Sequence, residues 1–288
     1  MDLKNIAKEI RDIVSECQKK HQITFDEDSH TYTMLDENGN LTSDWPSVSK
    51  VLKLFYDEFD AEGISYKKAK GDLKVQQELL DEWKAAGDYS TNMGSRVHYL
   101  LETEIVNKFE LTKEVRQPIY DCDFTQILKG DSMVVAGKNF LDLMVERNGV
   151  ILDTEMVLGS SKLGYTGQPD KTWLFMNKEK TGFGLVITDW KTNKIKNFEV
   201  NYFTTKMKPP FNEYPNNALG HYYLQLPLYG RLLLEMLKGS KYEGIKLYGC
   251  IIVLLRDDGT YVEYRIPNKV IDTIMSIDIK ELLKKLKK

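Results

Sequence analysis

Asp189-Trp190-Lys191 closes an apolar run, GLVITDWK, at residues 184–191. In a strand the side chains alternate, so Asp189 and Lys191 take one face and Trp190 the other. Asp170 ends the preceding segment, YTGQPD. If the two segments pair as a hairpin, Asp170 and Asp189 meet at one point. Two converging carboxylates repel unless a cation sits between them, and Mg²⁺ suits such oxygen ligands. The adjacent ammonium of Lys191 can hold an attacking water or neutralise phosphoryl oxygens. The chemistry expected of the trio is metal-dependent hydrolysis of a phosphodiester. A lone Asp-x-Lys has a competing account, an ion pair at a strand end that needs no function.

Other residues add to the trio. Gly94, His98 and Glu102 recur every four residues, so a helix would present them on one face. A neutral imidazole there could ligate a metal and would favour Mn²⁺; the alternative is a satisfied helix histidine. His221, Gln225 and Tyr229 form a second such stripe, which could equally be the polar rim of an amphipathic helix. Gln225 lies in the apolar and aromatic run YYLQLPLY, and a buried amide needs partners. Glu155 sits inside VILDTEMVL, read as a strand, where a structural ion pair is the alternative.

These residues need elements to hold them. Apolar periodicity predicts helices over Leu3 to about Lys19, Val48 to about Tyr56 with Ser47 as cap, Leu73–Ala86, Asn92–Asn107 and Ser132–Glu146. A hairpin-like stretch covers Ile23–Asp36, closed by Asn38-Gly39. After Gly149 the texture turns to strands: Val150–Leu158, Tyr165–Phe175 and Gly184–Trp190. A helix from about Asn217 to Lys238 carries Pro227, a candidate kink. Leu247–Leu255 and Tyr261–Ile266 follow as strands joined through Asp258-Gly259. A basic amphipathic helix closes the chain, with Lys284, Lys285, Lys287 and Lys288 as solvated face and tail. The expected fold is α/β: a mixed central sheet flanked by helices, with a mainly helical region over 1–130 laid on a core over 131–288.

Bulk properties narrow the function. The 288 residues are 42% hydrophobic and 29% charged, ordinary for a globular chain with ample core. A net charge of −3 gives no global pull toward nucleic acid, so any such contact needs a local basic surface. Cys17, Cys122 and Cys250 lack metal-ligand spacing, which argues against zinc, an iron–sulfur cluster or a disulfide framework. No apolar run reaches membrane-spanning length. The N-terminal residues mix acids with bases and read as an amphipathic helix, not a presequence. A cytoplasmic location in a bacterial or phage-infected cell is expected.

Taken in order, Gly94…His98…Glu102, Glu155, Gly167-Gln168-Pro169-Asp170, Asp189-Trp190-Lys191-Thr192 and Gln225…Tyr229 resemble the PD-(D/E)XK nuclease superfamily and, within it, the RecB-like group. The likeness is greatest to the mitochondrial genome maintenance exonuclease family and its phage relatives. Pro46–Leu52 and Trp83 extend it, so it spans roughly Trp45 to Leu255. It implies a restriction-endonuclease-like core under a helical roof. It also implies Mg²⁺ or Mn²⁺ on Asp170, Asp189, His98 and the Trp190 carbonyl. Lys191 would position or activate water, and Gln225 and Tyr229 would support Lys191 or contact the DNA backbone. Glu102 and Glu155 would be additional acids. The second acid is Asp189, as is common in the RecB-like group, and the four cysteines of the iron–sulfur subgroup are missing.

The stretch 191–211 holds Lys191, Lys194, Lys196, Lys206 and Lys208 against the single acid Glu199, interleaved with Phe198, Tyr202, Phe203 and Phe211. Basic groups among aromatics suit single-stranded nucleic acid. A solvated loop with core-anchoring aromatics is the alternative. Lys194, Lys196, Tyr202, Lys206, Lys208 and His221 are the expected DNA contacts. The functional expectation is a monomeric DNA exonuclease that prefers single strands with free ends, acting in replication, repair or recombination. The rivals are a double-strand exonuclease or structure-specific endonuclease, a non-catalytic DNA-binding subunit of a replication assembly, and an RNA substrate.

Overall fold

A computed structural model describes residues 2–43 and 45–286 of the chain; Lys287 and Lys288 of the expected basic tail lie outside them. Helix α1 (Leu3–His21) starts where the Asp2 carboxylate accepts from the backbone N–H groups of Lys4 and Asn5. It buries Leu3, Ile6, Ala7, Ile10 and Val14, the helical spacing read from sequence. Strands β1 (Thr24–Asp26), β2 (Thr31–Leu35) and β3 (Leu41–Thr42) make a small antiparallel sheet. Asn38-Gly39 turns β2 into β3, with Gly39 at φ 82°.

Helix α2 (Val48–Leu52) opens on Ser47 as expected but stops well before Tyr56. Helix α3 (Ala61–Lys68) was not expected. Its isolated apolar residues give no stripe, and it is started by the Asp60 cap on Gly63.

Helix α4 runs unbroken from Leu73 to Lys108, correcting the expectation of two helices. The gap between the two expected helices holds Gly87 and the polar residues after it. Gly87 faces open space, and the Ser90 hydroxyl donates to the Ala86 carbonyl, so the ladder passes through. Only Met93, Val97, Leu101 and Ile105 of α4 are buried. Helix α5 (Phe124–Glu146) begins well before Ser132, because Asp123 and Gln126 form a capping box.

The strand region is also more divided than expected. β4 (Val150–Thr154) and β5 (Leu158–Ser160) replace one strand; β6 (Tyr165–Gly167) and β7 (Lys171–Met176) replace another. The interruptions fall at Glu155 and at Gln168-Pro169-Asp170. Glu155 therefore does not sit inside a strand but at its end, with a left-handed φ of 44°. β8 (Phe183–Lys191), α6 (Ala218–Met236, continuing through Pro227), β9 (Lys246–Leu255) and β10 (Tyr261–Arg265) follow the expected order. α7 (Asn268–Ser276) and α8 (Ile279–Leu286) close the chain as two short helices rather than one.

The central sheet has the order β10-β9-β8-β7-β4. β8 and β9 are parallel, joined by the α6 crossover, and the other pairs are antiparallel. Strand alternation sorts the sheet into two faces. Leu152, Leu174, Leu185, Ile187, Ile252 and Leu254 pack with α1, α2, α6 and α7. Ile151, Trp173, Trp190, Ile251 and Val253 pack with α4 and α5. The chain is thus α/β, a mixed sheet covered by helices on both faces. Among the described residues no helix is long and apolar enough to cross a membrane.

Candidate metal centre

The β7–β8 hairpin register places Lys171 opposite Thr188, so Asp170 arrives beside Asp189 and Trp190. Asp170 Oδ2 accepts from the Trp190 backbone N–H at 2.7 Å and lies 3.5 Å from His98 Nδ1. The Asp170 carbonyl accepts from Thr154 Oγ1 at 2.7 Å and from the Glu155 N–H at 3.2 Å. That clamp carries the Glu155 carboxylate inward. Ligand atoms of His98, Glu155 and Asp170 lie within 4.8 Å of one another. The Trp190 carbonyl borders the same imidazole. Residues up to 92 positions apart, on a helix, a strand end and a hairpin, thus converge where the interior strand β7 begins and β8 ends.

Asp189 is 2% exposed. It lies beside Asp170 and faces the Lys191 ammonium on its own strand face. Its Oδ2 nevertheless has no aligned hydrogen-bond donor. Burial first, and then the Asp170 charge, push the Asp189 carboxyl up to about 7, against the pull of Lys191 and Lys171. Burial would raise Asp170 as well, but Lys171, His98, Lys191 and the bond from Asp189 hold it well below the usual carboxylate range. Of the two, Asp170 is the more readily ionised and Asp189 the less. Burial, with Asp170 and Glu102 nearby, drives Glu155 well up.

Lys191 resists its own burial because Asp189, Tyr222 and Asp170 raise it, so the ammonium stays protonated. Its Nζ sits 4.2 Å from the centre of the Tyr222 ring, whose hydroxyl donates to Asn193. Sequence reading passed over Tyr222, although it lies one turn before Gln225 in the same aromatic run. It also passed over Lys171, the neighbour of Asp170. Lys171 is fully buried, 3.4 Å from Asp170 Oδ2 and 3.6 Å from the centre of the Trp190 ring. Burial lowers it to about 8. An unpaired buried ammonium costs several kcal/mol, about what a carboxylate and an indole face can offset. The readable signal was its parity: Lys171 shares the inward face of β7 with Trp173.

The remaining expected residues are placed variously. Gly94 brings α4 close to the end of β8, where an added Cβ would meet Thr192 Oγ1 at 3.2 Å. Glu102 stands outside the three-residue cluster, 3.5 Å from Lys113 Nζ. Gln225 donates to the Tyr229 hydroxyl at 3.0 Å. The Tyr229 ring in turn packs beneath Gly167, where a Cβ would lie 2.6 Å from Cε1. Gly167→Ala should therefore cost about 1–3 kcal/mol by overpacking, read as a lower urea midpoint; an unchanged midpoint would refute this packing.

His221 stacks on Tyr56 with 3.7 Å between centroids and bonds to Asn216 Oδ1, and burial lowers it to about 4. Lys208 pairs with Asp57, and Lys206 donates to the Glu213 carbonyl. Lys194 and Lys196 are exposed. The loop aromatics divide: Phe198 and Phe211 anchor in the core, while Tyr202 and Phe203 are 96% and 87% exposed.

The donor set fits a divalent cation. Asp170, Glu155 and His98 bring two carboxylates and an imidazole together, burial raises Glu155 above the usual carboxylate range, and Asp189 lies beside Asp170 with its buried Oδ2 facing the Lys191 ammonium but no aligned donor. A cation among these oxygens would offset the repulsion between the converging carboxylates. Comparison of the chain with protein-family models and with curated proteins returns no match.

Proposed function

We propose that this chain is a Mg²⁺- or Mn²⁺-dependent DNA exonuclease of the PD-(D/E)XK superfamily, RecB-like group, with a restriction-endonuclease-like core. One observation carries the reading: Asp170, Asp189 and Lys191 converge with His98 and Glu155 where β7 begins and β8 ends. Asp170, Asp189, His98 and the Trp190 carbonyl would hold the cation, with Glu155 as a further acid. When bound, the cation would supply Lewis acidity at the scissile phosphate and charge for the departing oxygen.

The side chains divide the rest of the work. Lys191, whose ammonium is favoured by Asp189, Tyr222 and Asp170, donates to a phosphoryl oxygen or orients the incoming water. Tyr222 limits where the Lys191 ammonium can move. Tyr229, tied to Gln225 and wedged under Gly167, backs the Asp189 carboxylate. Lys171 holds positive charge behind Asp170 without reaching solvent.

The exposed pair Tyr202 and Phe203, on a loop that also carries Lys194 and Lys196, supports single-stranded DNA as the preferred substrate. Bases stack on such rings while lysines meet phosphates. The setting proposed is replication, repair or recombination in a bacterial or phage-infected cytoplasm.

The test uses end-labelled linear and circular DNA, single- and double-stranded, with and without Mg²⁺ or Mn²⁺. Wild type should degrade linear single strands only with metal and leave circles intact. Asp189→Ala should be inactive. Cleavage of circles would make the enzyme an endonuclease; binding without any cleavage would favour a non-catalytic subunit; cleavage by Asp189→Ala would sink the mechanism.

A further inference from the structure

Glu155 is held in the cluster against its own backbone preference. A left-handed φ of 44° is unfavourable for a residue with a Cβ, by about 1–2 kcal/mol, and persists only where neighbours impose it. The neighbours are few. The Glu155 N–H donates to the Asp170 carbonyl at 3.2 Å. Its own carbonyl accepts from Gln168 Nε2 and from Lys113 Nζ, both at 3.0 Å. Lys113 also donates to the Thr154 carbonyl at 2.5 Å and lies 3.5 Å from Glu102 Oε1.

Lys113 comes from the segment between α4 and α5, which has no helix or strand from 109 to 123. Phe109, at its start, packs edge-on against Trp173. The Lys113 ammonium is the positive charge that Glu102, Asp153 and Glu155 share.

From this geometry we infer that Lys113 is a positioning residue of the proposed metal centre: it pins the backbone of Thr154 and Glu155 so that the Glu155 carboxylate faces His98 and Asp170, and it draws Glu102 away from them. The inference rests on the metal-centre reading above. Lys113 cannot itself ligate a cation, since an ammonium has donors only. Its effect passes through Glu155. Charge-assisted bonds to two successive carbonyls are also stronger than the neutral amide bond from Gln168. Removing the ammonium lets the Glu155 backbone relax toward ordinary φ, which turns the carboxylate out of the cluster. It simultaneously frees Glu102.

The experiment is Mn²⁺ calorimetry without DNA on wild type, Lys113→Met, Lys113→Arg, Glu155→Gln, the Lys113→Met/Glu155→Gln double variant, and Lys138→Met. Lys138 pairs with Glu104 elsewhere on α4 and α5 and controls for loss of one surface charge. Lys113→Met should weaken Mn²⁺ binding by about 10–100-fold, the range for residues that orient ligands. Lys113→Arg should restore most of it. The double variant should bind no more weakly than Glu155→Gln alone, because one residue acts through the other. A purely structural role would instead give additive losses.

Lys113→Met binding Mn²⁺ as wild type does, or additive losses in the double variant, would overturn the assignment while leaving the metal centre standing. Wild type taking up no Mn²⁺ would overturn the centre and this assignment together. Should Lys113→Met fail to fold, the Lys113→Arg and Glu155→Gln pair decides. Arginine at 113 binding as weakly as Glu155→Gln would overturn the inference, because the cationic tie would be present without effect.

Discussion

Lys191→Met should reduce DNA cleavage about a thousandfold while leaving Mn²⁺ binding in place. A preorganised donor at a developing charge is worth about 2.7–4 kcal/mol, which sets that magnitude. The Lys191 ammonium meets the requirement structurally: it is held between Asp189 and the Tyr222 face and stays protonated. The methionine variant should not collapse. Breaking a buried ion pair costs about 3–5 kcal/mol when it strands a charge. Here the stranded group is Asp189, whose carboxyl already sits at about 7 and can take a proton instead. A metal-free loss of about 1–2 kcal/mol is therefore expected, less than for a pair whose remaining partner must stay charged. Lys191→Arg should also be poor, because a planar fork does not occupy the position of a compact ammonium. Single-turnover rates at saturating Mn²⁺ decide the matter. A variant within tenfold of wild type would remove lysine from the mechanism, and loss of Mn²⁺ binding would recast it as a support for the ligands.

Asp189→Asn should abolish cleavage and yet stabilise the metal-free protein. Asp189 is buried next to another carboxylate, and its folded value is raised from the ordinary 3.8 to about 7. For a raised acid, the stabilising contribution is complete below the unfolded value and is lost as pH rises through the folded one. Wild type thus carries a growing cost between about pH 4 and 7, levelling off above. Asparagine is uncharged throughout. The variant's advantage should be small at pH 4 and reach about 1–3 kcal/mol at pH 8, the linkage limit discounted for the lost Lys191 pair. Urea melts at the two pH values measure this. Added Mn²⁺ should stabilise wild type at pH 8 and leave the variant unmoved. A variant less stable than wild type at pH 8 without metal would mean that the two carboxylates do not oppose each other as described. Stability gained where activity is lost is the expected signature of residues held together for function.

The parts of the site that local rules govern were legible beforehand. β8 alternates as read, so Asp189 and Lys191 share a face and Trp190 packs against Phe140 on the other. The β7–β8 hairpin brings Asp170 to Asp189, as the segment order implied. His98 reaches them because α4 crosses the end of β8. What escaped notice depends on contacts distant in sequence. The strand break at Glu155 is imposed by Asp170, Gln168 and Lys113, none of which alters the apolar, β-branched texture of VILDTEMVL. Lys113 sits in a polar stretch with no periodicity at all. Lys171 was hidden differently, since a lysine beginning a strand reads as solvated until its partners Asp170 and Trp190 are in place. The loop aromatics were only half readable: composition listed four rings without saying that Phe198 and Phe211 face inward.

The two halves of α4 differ in what they tolerate. Met93, Val97, Leu101 and Ile105 lock the second half to α5 and the sheet, while no side chain from 73 to 92 is buried. One extra residue in a helix turns everything beyond it by about 100°. Between Gly94 and Ile105 that turn would carry His98 off the end of β8. Ahead of Tyr89, whose carbonyl accepts from the buried Gln126 Nε2, it would swing the outer arm, with α3 upon it, around the axis. Insertions and deletions should therefore accumulate ahead of Tyr89 and be purged after it, so that the outer arm can vary in length and heading while the imidazole keeps its register.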